Sequence, residues 1–175
     1  MVGYEGGREP MDNASLARVF EDISQLLEVK ADSPFKINAY RTGARAIAAY
    51  PEQLRDMMAR GEDIRRIPGI GEAIANKTVE LLTTGHLVFF DRLVESSPPG
   101  VLELMRLSGI GPKTAARLSQ ELGVSSLDQL ETALRSGAVS QLAGFGDRTV
   151  HRLLAEIESH RRQGSDPLRE ERQSV

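Results

Sequence analysis

Three glycine pairs in this chain are spaced for the capture of an anion. Gly69-Ile70-Gly71, Gly109-Ile110-Gly111 and Gly144-Phe145-Gly146 sit in the segments IPGIGEAIANKT (67–78), LSGIGPKTAARL (107–118) and LAGFGDRTVHRL (142–153). Each runs apolar residue, spacer, Gly-apolar-Gly and then a helix-forming stretch. A Gly-x-Gly that opens a helix leaves backbone N–H groups unpaired at the positive end of the helix dipole, with no Cβ in the way of an incoming anion. A phosphate suits such a turn, and three turns point to a polymer of phosphates. The competing reading is a tight turn between packed helices and nothing more. Repetition in one frame, with first glycines 40 and 35 residues apart, favours the nucleic-acid reading.

The three copies are not equal. The first two carry Gly-Ile-Gly and read as having a permissive helix after it, whereas the third has Ala143, Phe145 and then Asp147, where an anion meets a like charge. The third reads as a packing unit, with Arg148, His151 and Arg152 as weak support for a DNA contact. In every copy the middle residue (Ile70, Ile110 or Phe145) is expected between the two helices. Backbone amides carry no base information, so the contact would position DNA without reading its sequence, at micromolar or weaker affinity. Carbonyls of the same turns, those of Arg65, Ile67 and Ile70 and of Met105, Leu107 and Ile110, are suited to a monovalent cation (K+ or Na+) that bridges to a phosphate.

Charge refines this. A net charge of −3 argues against coating DNA by bulk electrostatics. Its distribution is uneven: residues 1–33 hold three basic side chains against seven acidic ones, and residues 34–60 hold Lys36, Arg41, Arg45, Arg55 and Arg60 against Glu52 and Asp56. Lys36–Arg45 is either a phosphate-facing patch or an ordinary solvated helix surface. With no cysteine and three scattered histidines, neither a disulfide framework nor a zinc site is expected, and no organic cofactor is implied. No run is long enough for a membrane span and the N-terminus has no signal-peptide stretch, so a cytoplasmic, nucleoid-associated protein is expected.

The elements that must position these turns are helices. Asp12 or Asn13 reads as the N-cap of a helix to about Val29, with Leu16, Val19, Phe20, Ile23, Leu26 and Leu27 in helical period. Pro34 opens a second helix to about Tyr50 and Pro51 a third, ending near Gly61. The first hairpin follows, closed by Gly85, and Leu87–Phe90 reads as part of a helix. The stretch Ser96-Ser97-Pro98-Pro99-Gly100 is the best boundary. Beyond it come a helix over about 102–107, the second hairpin to Gly123, a helix over 126–136 capped by Ser125 or Ser126, and a last helix over about 147–160. The expected fold is all-α, two small helical domains built around helix-hairpin-helix units: a disordered 1–11, a first domain over 12–95, a linker at 96–100, a second domain over 101–162 and a disordered tail from 163.

Four segments taken in order, KINAYR (36–41), ARAIAAYP (44–51), IPGIGEAIANK (67–77) and LSGIGPKTAARL (107–118), resemble the N-terminal half of X-family DNA polymerases, most of all bacterial members. The likeness covers about residues 12–162. It implies a lyase-type domain holding the first hairpin and a fingers-type domain holding the second. It also implies gapped or nicked DNA with a 5′-phosphate as partner, in repair. Gly69, Ile70, Gly71, Gly109, Ile110 and Gly111 would form the contact turns, with Lys36, Tyr40, Arg41, Arg65 and Lys113 around them. The family's palm domain, with its paired metal-binding aspartates, has no counterpart here, so no polymerase activity of its own is expected.

The resemblance places at Lys77 the lysine that forms a Schiff base with 5′-deoxyribose phosphate. Such a nucleophile must be neutral, a minority state near pH 7 that desolvation or a neighbouring cation favours. Lys36 and Tyr40 match 5′-phosphate pocket positions and Arg65 keeps a positive charge there, but Ala73 stands where a second lysine is familiar and Phe35 where a histidine is. Lys77 also reads as a solvent-facing helix lysine, and Tyr40 as core. Three functions therefore stand side by side: a DNA-binding module, a 5′-deoxyribose phosphate lyase, and a docking module for a separate polymerase, ligase or nuclease.

Overall fold

The computed structural model describes residues 11–164. They form nine α-helices and two short 3-10 turns with no strand among the described residues, arranged in two compact units that divide between Ser97 and Pro98. The expectations of disorder at 1–11 and from 163 fall almost wholly outside the described residues; the last helix is continuous to Gly164.

The first unit opens with α1 (Asn13–Val29) and α2 (Pro34–Ala49), which pack along each other. Asp12 caps α1 by accepting the Ser15 N–H at 2.8 Å. The periodic residues of α1, with Ile37, Tyr40, Ala44 and Ile47 of α2, are buried together in this unit's core. The third helix, α3 (Leu54–Ala59), starts three residues later than Pro51 suggested. The cause is Asn13, a buried side chain whose Nδ2 donates to the Glu52 carbonyl at 2.8 Å and whose Oδ1 accepts the Leu54 N–H at 2.9 Å. That clamp holds residues 51–53 out of helical geometry, a long-range effect that proline statistics cannot contain.

The first hairpin consists of a 3-10 turn (Ile64–Arg66), the glycine turn and α4 (Glu72–Thr84). Gly85 ends α4 in the left-handed region at φ 70°. Helix α5 (Val88–Glu95) closes the unit.

The second unit holds two hairpins. The first arm of one, α6 (Val101–Leu104), is shorter than the 102–107 expected. After Leu104 the chain tightens into i→i+3 bonds, Arg106 N–H to Glu103 and Leu107 N–H to Leu104, which feed the glycine turn. Its second arm is α7 (Pro112–Leu122), ended by Gly123 at φ 66°. Helix α8 (Leu127–Arg135), capped by Ser126, leads to a 3-10 turn (Val139–Gln141) and α9 (Asp147–Gly164). No described helix is long and apolar enough to cross a membrane.

Candidate nucleic-acid interface

The three glycine turns are built alike. In each, the N–H of the middle apolar residue donates back three residues, Ile70 to Ile67 at 3.0 Å, Ile110 to Leu107 at 3.1 Å and Phe145 to Leu142 at 3.2 Å. The first glycine of each takes a positive φ, 93° at Gly69, 79° at Gly109 and 95° at Gly144. A positive φ at the third position of such a turn is the type II signature and demands glycine. Ile70, Ile110 and Phe145 are buried, as expected of the wedge between two arms.

The second glycine is the N-cap of the following helix. Gly71 and Gly111 are extended, at φ −83° and −86°, and their carbonyls accept from Ala75 and Ala115 at 2.9 Å, the first bonds of α4 and α7. Their own N–H groups donate to no protein acceptor among the described residues. A Cβ built on either would meet nothing within 4 Å. These two positions are open at the N-termini of α4 and α7.

The first glycines of the first two turns are not open, whereas a Cβ on Gly144 would meet nothing within 4 Å. A Cβ on Gly69 would lie 3.2 Å from both Thr42 Cγ2 and Ala46 Cβ of α2, and one on Gly109 would lie 2.8 Å from Arg152 Nη2. Each is covered by its own unit, and glycine is needed there for packing as well as for φ. Ser108 N–H and Oγ both donate to Glu156 Oε1, at 2.8 and 3.0 Å, which occupies one further donor of the second turn.

Charge separates the hairpins further. Asp147 puts a negative charge in the first turn of α9, and Glu72 fills the same first-turn place after Gly71. The expectation of a permissive helix after the first hairpin is therefore corrected: Glu72 places a like charge there for an anion. The second alone has no acidic residue in that turn; Pro112 opens α7 and Lys113 is exposed beside it with no carboxylate partner among the described residues.

The cationic residues named from the sequence are mostly engaged. Lys36 Nζ pairs with Asp32 at 3.0 Å and Arg41 Nη2 with Glu28 at 2.9 Å. Arg65 grips Asp63 with two nitrogens, Nε to Oδ1 and Nη2 to Oδ2, both at 2.9 Å. Hydrogen bonds from Lys36 and from Arg65 hold the Asp32 and Asp63 carboxyls below the usual range. Arg41 thus faces α1, while Lys36 and Arg65 keep exposed flanks.

Around Lys77 the chain gathers two of the named residues, Tyr40 and Lys36, with Phe89. Its Nζ lies 4.9 Å from the centre of the Phe89 ring and 5.9 Å from that of Tyr40. Tyr40 stacks on Phe89 with centroids 5.9 Å apart, and Lys36 Nζ lies 5.5 Å from the same Phe89 ring. Tyr40 is also core, stacked on Phe20 at 6.3 Å, and burial, with the Asp32 charge second, pushes its phenol up to about 12. Phe89 went unnoticed in the sequence. The Phe89-Phe90 doublet was its one signal, since helical geometry sends only one of two neighbours inward.

The turn carbonyls of Ile67 and Leu107 already accept one N–H each, which leaves each a lone pair for a cation. No cluster of three metal-ligating side chains occurs among the described residues.

Two family models match the chain, a helix-hairpin-helix domain over residues 11–87 and a SAM-like helix-hairpin-helix tandem over 101–159. The DNA polymerase/3′-5′ exonuclease PolX of Bacillus subtilis (strain 168) is 31% identical over 82% of this chain. The Holliday junction branch migration complex subunit RuvA is 25% identical over 61% of the chain in Acidovorax sp. (strain JS42), and 30% over 53% in Pseudomonas fluorescens (strain SBW25). The chain spans a quarter of the length of the Bacillus relative and 60% and 45% of the other two.

Proposed function

Because the chain belongs to the helix-hairpin-helix proteins and is related to X-family DNA polymerases, we propose that it binds DNA without regard to sequence, through backbone amides that meet phosphates. The observation that carries this is the second hairpin turn. Gly111 presents an N–H with no protein acceptor among the described residues at the N-terminus of α7, a Cβ built on it would meet nothing within 4 Å, and Lys113 supplies charge with no acidic residue in the first turn of α7. Gly71 repeats the geometry in the first unit beside Glu72, so the two turns differ in electrostatics and not in shape. A K+ or Na+ on the carbonyls of Arg65, Ile67 and Ile70, or of Met105, Leu107 and Ile110, would bridge turn to phosphate. The preferred partner is duplex DNA with a gap or nick and a 5′-phosphate, the setting of excision repair.

Fluorescence anisotropy with an intact duplex, a scrambled-sequence duplex and a one-nucleotide gapped duplex tests this at low salt. Equal affinity for the two intact duplexes, tighter binding to the gapped one and a shallow salt slope are expected, because few phosphates are touched. No binding to any of them at low salt would leave the protein-docking role in its place.

A second reading is favoured by one observation, the aromatic seat of Lys77 with Lys36 at its edge. There Lys77 Nζ would attack the C1′ aldehyde of a 5′-deoxyribose phosphate and lose water to form an imine. Removal of a C2′ proton would then break the C3′–O bond and free the DNA 5′-phosphate. Borohydride trapping on gapped DNA carrying that sugar reads out the imine directly.

A further inference from the structure

The second and third hairpins share one frame at an offset of 35 residues: Ser108 with Ala143, Gly109 with Gly144, Arg117 with Arg152, Glu121 with Glu156. The structure uses this offset reciprocally. Arg117 of α7 donates through Nη1 to the Ala143 carbonyl at 3.1 Å, and Arg152 of α9 donates through Nη1 to the Ser108 carbonyl. Each arginine is steadied by the carboxylate one helical turn on, Arg117 Nε to Glu121 at 3.0 Å and Arg152 Nη1 to Glu156 at 3.6 Å. Each hairpin thus holds the turn of the other.

What is held matters. Ser108–Gly109 and Ala143–Gly144 are the central peptides of the two type II turns, the ones whose flip converts type II to type I. A trans peptide is planar, with its carbonyl and N–H opposed. Anchoring the Ser108 carbonyl on Arg152 therefore aims the Gly109 N–H away from the arginine, and Arg117 does the same for Gly144. In the first hairpin the same frame position is Lys77, which faces Phe89 and Tyr40 instead. There Pro68 occupies the residue before the first glycine and fixes one dihedral of the turn itself.

We propose that Arg117 and Arg152 are positioning residues that act in trans, each locking the peptide plane of the neighbouring hairpin so that its glycine amides stand ready for a phosphate. This rests on the DNA-binding reading above for its consequence, and on the two hydrogen bonds alone for its mechanism.

The test uses the full chain in two arms. In the first, without DNA, backbone amide NMR is recorded for Arg152→Met and Arg117→Met. Arg152→Met should shift and broaden the Ser108–Gly111 amides and spare Ala143–Gly146, and Arg117→Met should do the reverse. Changes confined to each arginine's own hairpin, or spread evenly through the unit, would overturn the proposal. In the second, Arg152→Met should weaken duplex binding about tenfold. Arg152→Lys, which keeps the charge and one donor, should recover part of it. In a Gly111→Val background the same change should add less than about twofold, since both act on one turn. Full additivity, or weakened binding with an undisturbed Gly109 amide, would reduce Arg152 to a surface charge and sink the idea. Absence of DNA binding by the unaltered chain would instead remove the DNA reading, and the first arm would still decide the clasp.

Discussion

Lys77 lies against the face of Phe89, its Nζ 4.9 Å from the ring centre, while Tyr40 stacks on the same ring at 5.9 Å. An amine seated over a stacked pair of aromatic rings has its direction of approach set before any substrate arrives. Replacing Lys77 by Ala should abolish borohydride trapping on gapped DNA bearing 5′-deoxyribose phosphate and leave equilibrium binding within about twofold. Trapping that survived would identify another amine as the nucleophile.

The two glycines of the second hairpin should respond differently to the same side chain. Gly111→Val meets open space at φ −86° and should keep the fold while weakening DNA binding. Gly109→Val must adopt φ 79° and displace the Arg152 guanidinium, and should cost the second unit on the order of 2 kcal/mol. Thermal unfolding beside anisotropy separates the outcomes; equal stability of both variants would contradict the positive φ and the Arg152 contact at Gly109.

Tyr40 predicts an alkaline signature. Its phenol, pushed up to about 12 from 10.0 by burial, is held in the neutral form more firmly in the folded chain than in the unfolded one. The resulting stability is complete below pH 10 and is lost as the pH rises through about 12. Urea titrations across that window should show Tyr40→Phe losing less stability than the unaltered chain, by on the order of 2 kcal/mol. Parallel losses would mean that the phenol is not desolvated.

Asn13 ties α1 to the connection before α3, with both ends of its amide used and its own N–H on Gln53 Oε1 at 2.9 Å. Asn13→Leu strands the buried Leu54 N–H and should destabilise the first unit by about 2–4 kcal/mol. Denaturant unfolding of the full chain provides the check, and a loss below about 0.5 kcal/mol would show that water replaces the amide without cost.

Asp63 holds Arg65 in a two-nitrogen grip beside the first hairpin. Asp63→Asn keeps an acceptor for the Arg65 N–H yet removes the competing charge. Binding to gapped DNA at low salt should tighten about two- to threefold, with the gain vanishing at high salt. An unchanged affinity would take Arg65 out of the contact surface.

Much of this protein is determined by local sequence. The cap at Asp12, the helix ends at Gly85 and Gly123, and the positive φ of Gly69, Gly109 and Gly144 all follow from interactions within about four residues. Sterics and backbone hydrogen bonding act at that range, so residue type and spacing are enough to place them. Local sequence thus decided the three turns, the frame that relates them and most helix ends, the start of α3 excepted.

Tertiary structure decided which parts of those turns remain available. Thr42 and Ala46 cover Gly69, Arg152 covers Gly109, and Gly71 and Gly111 stay open. Glu28 of α1 claims Arg41, and Phe89 receives Lys77. The clasp bonds, Arg117 to Ala143 and Arg152 to Ser108, join residues 26 and 44 positions apart. Such contacts depend on the packing angle of whole helices, to which no single side chain's propensity corresponds.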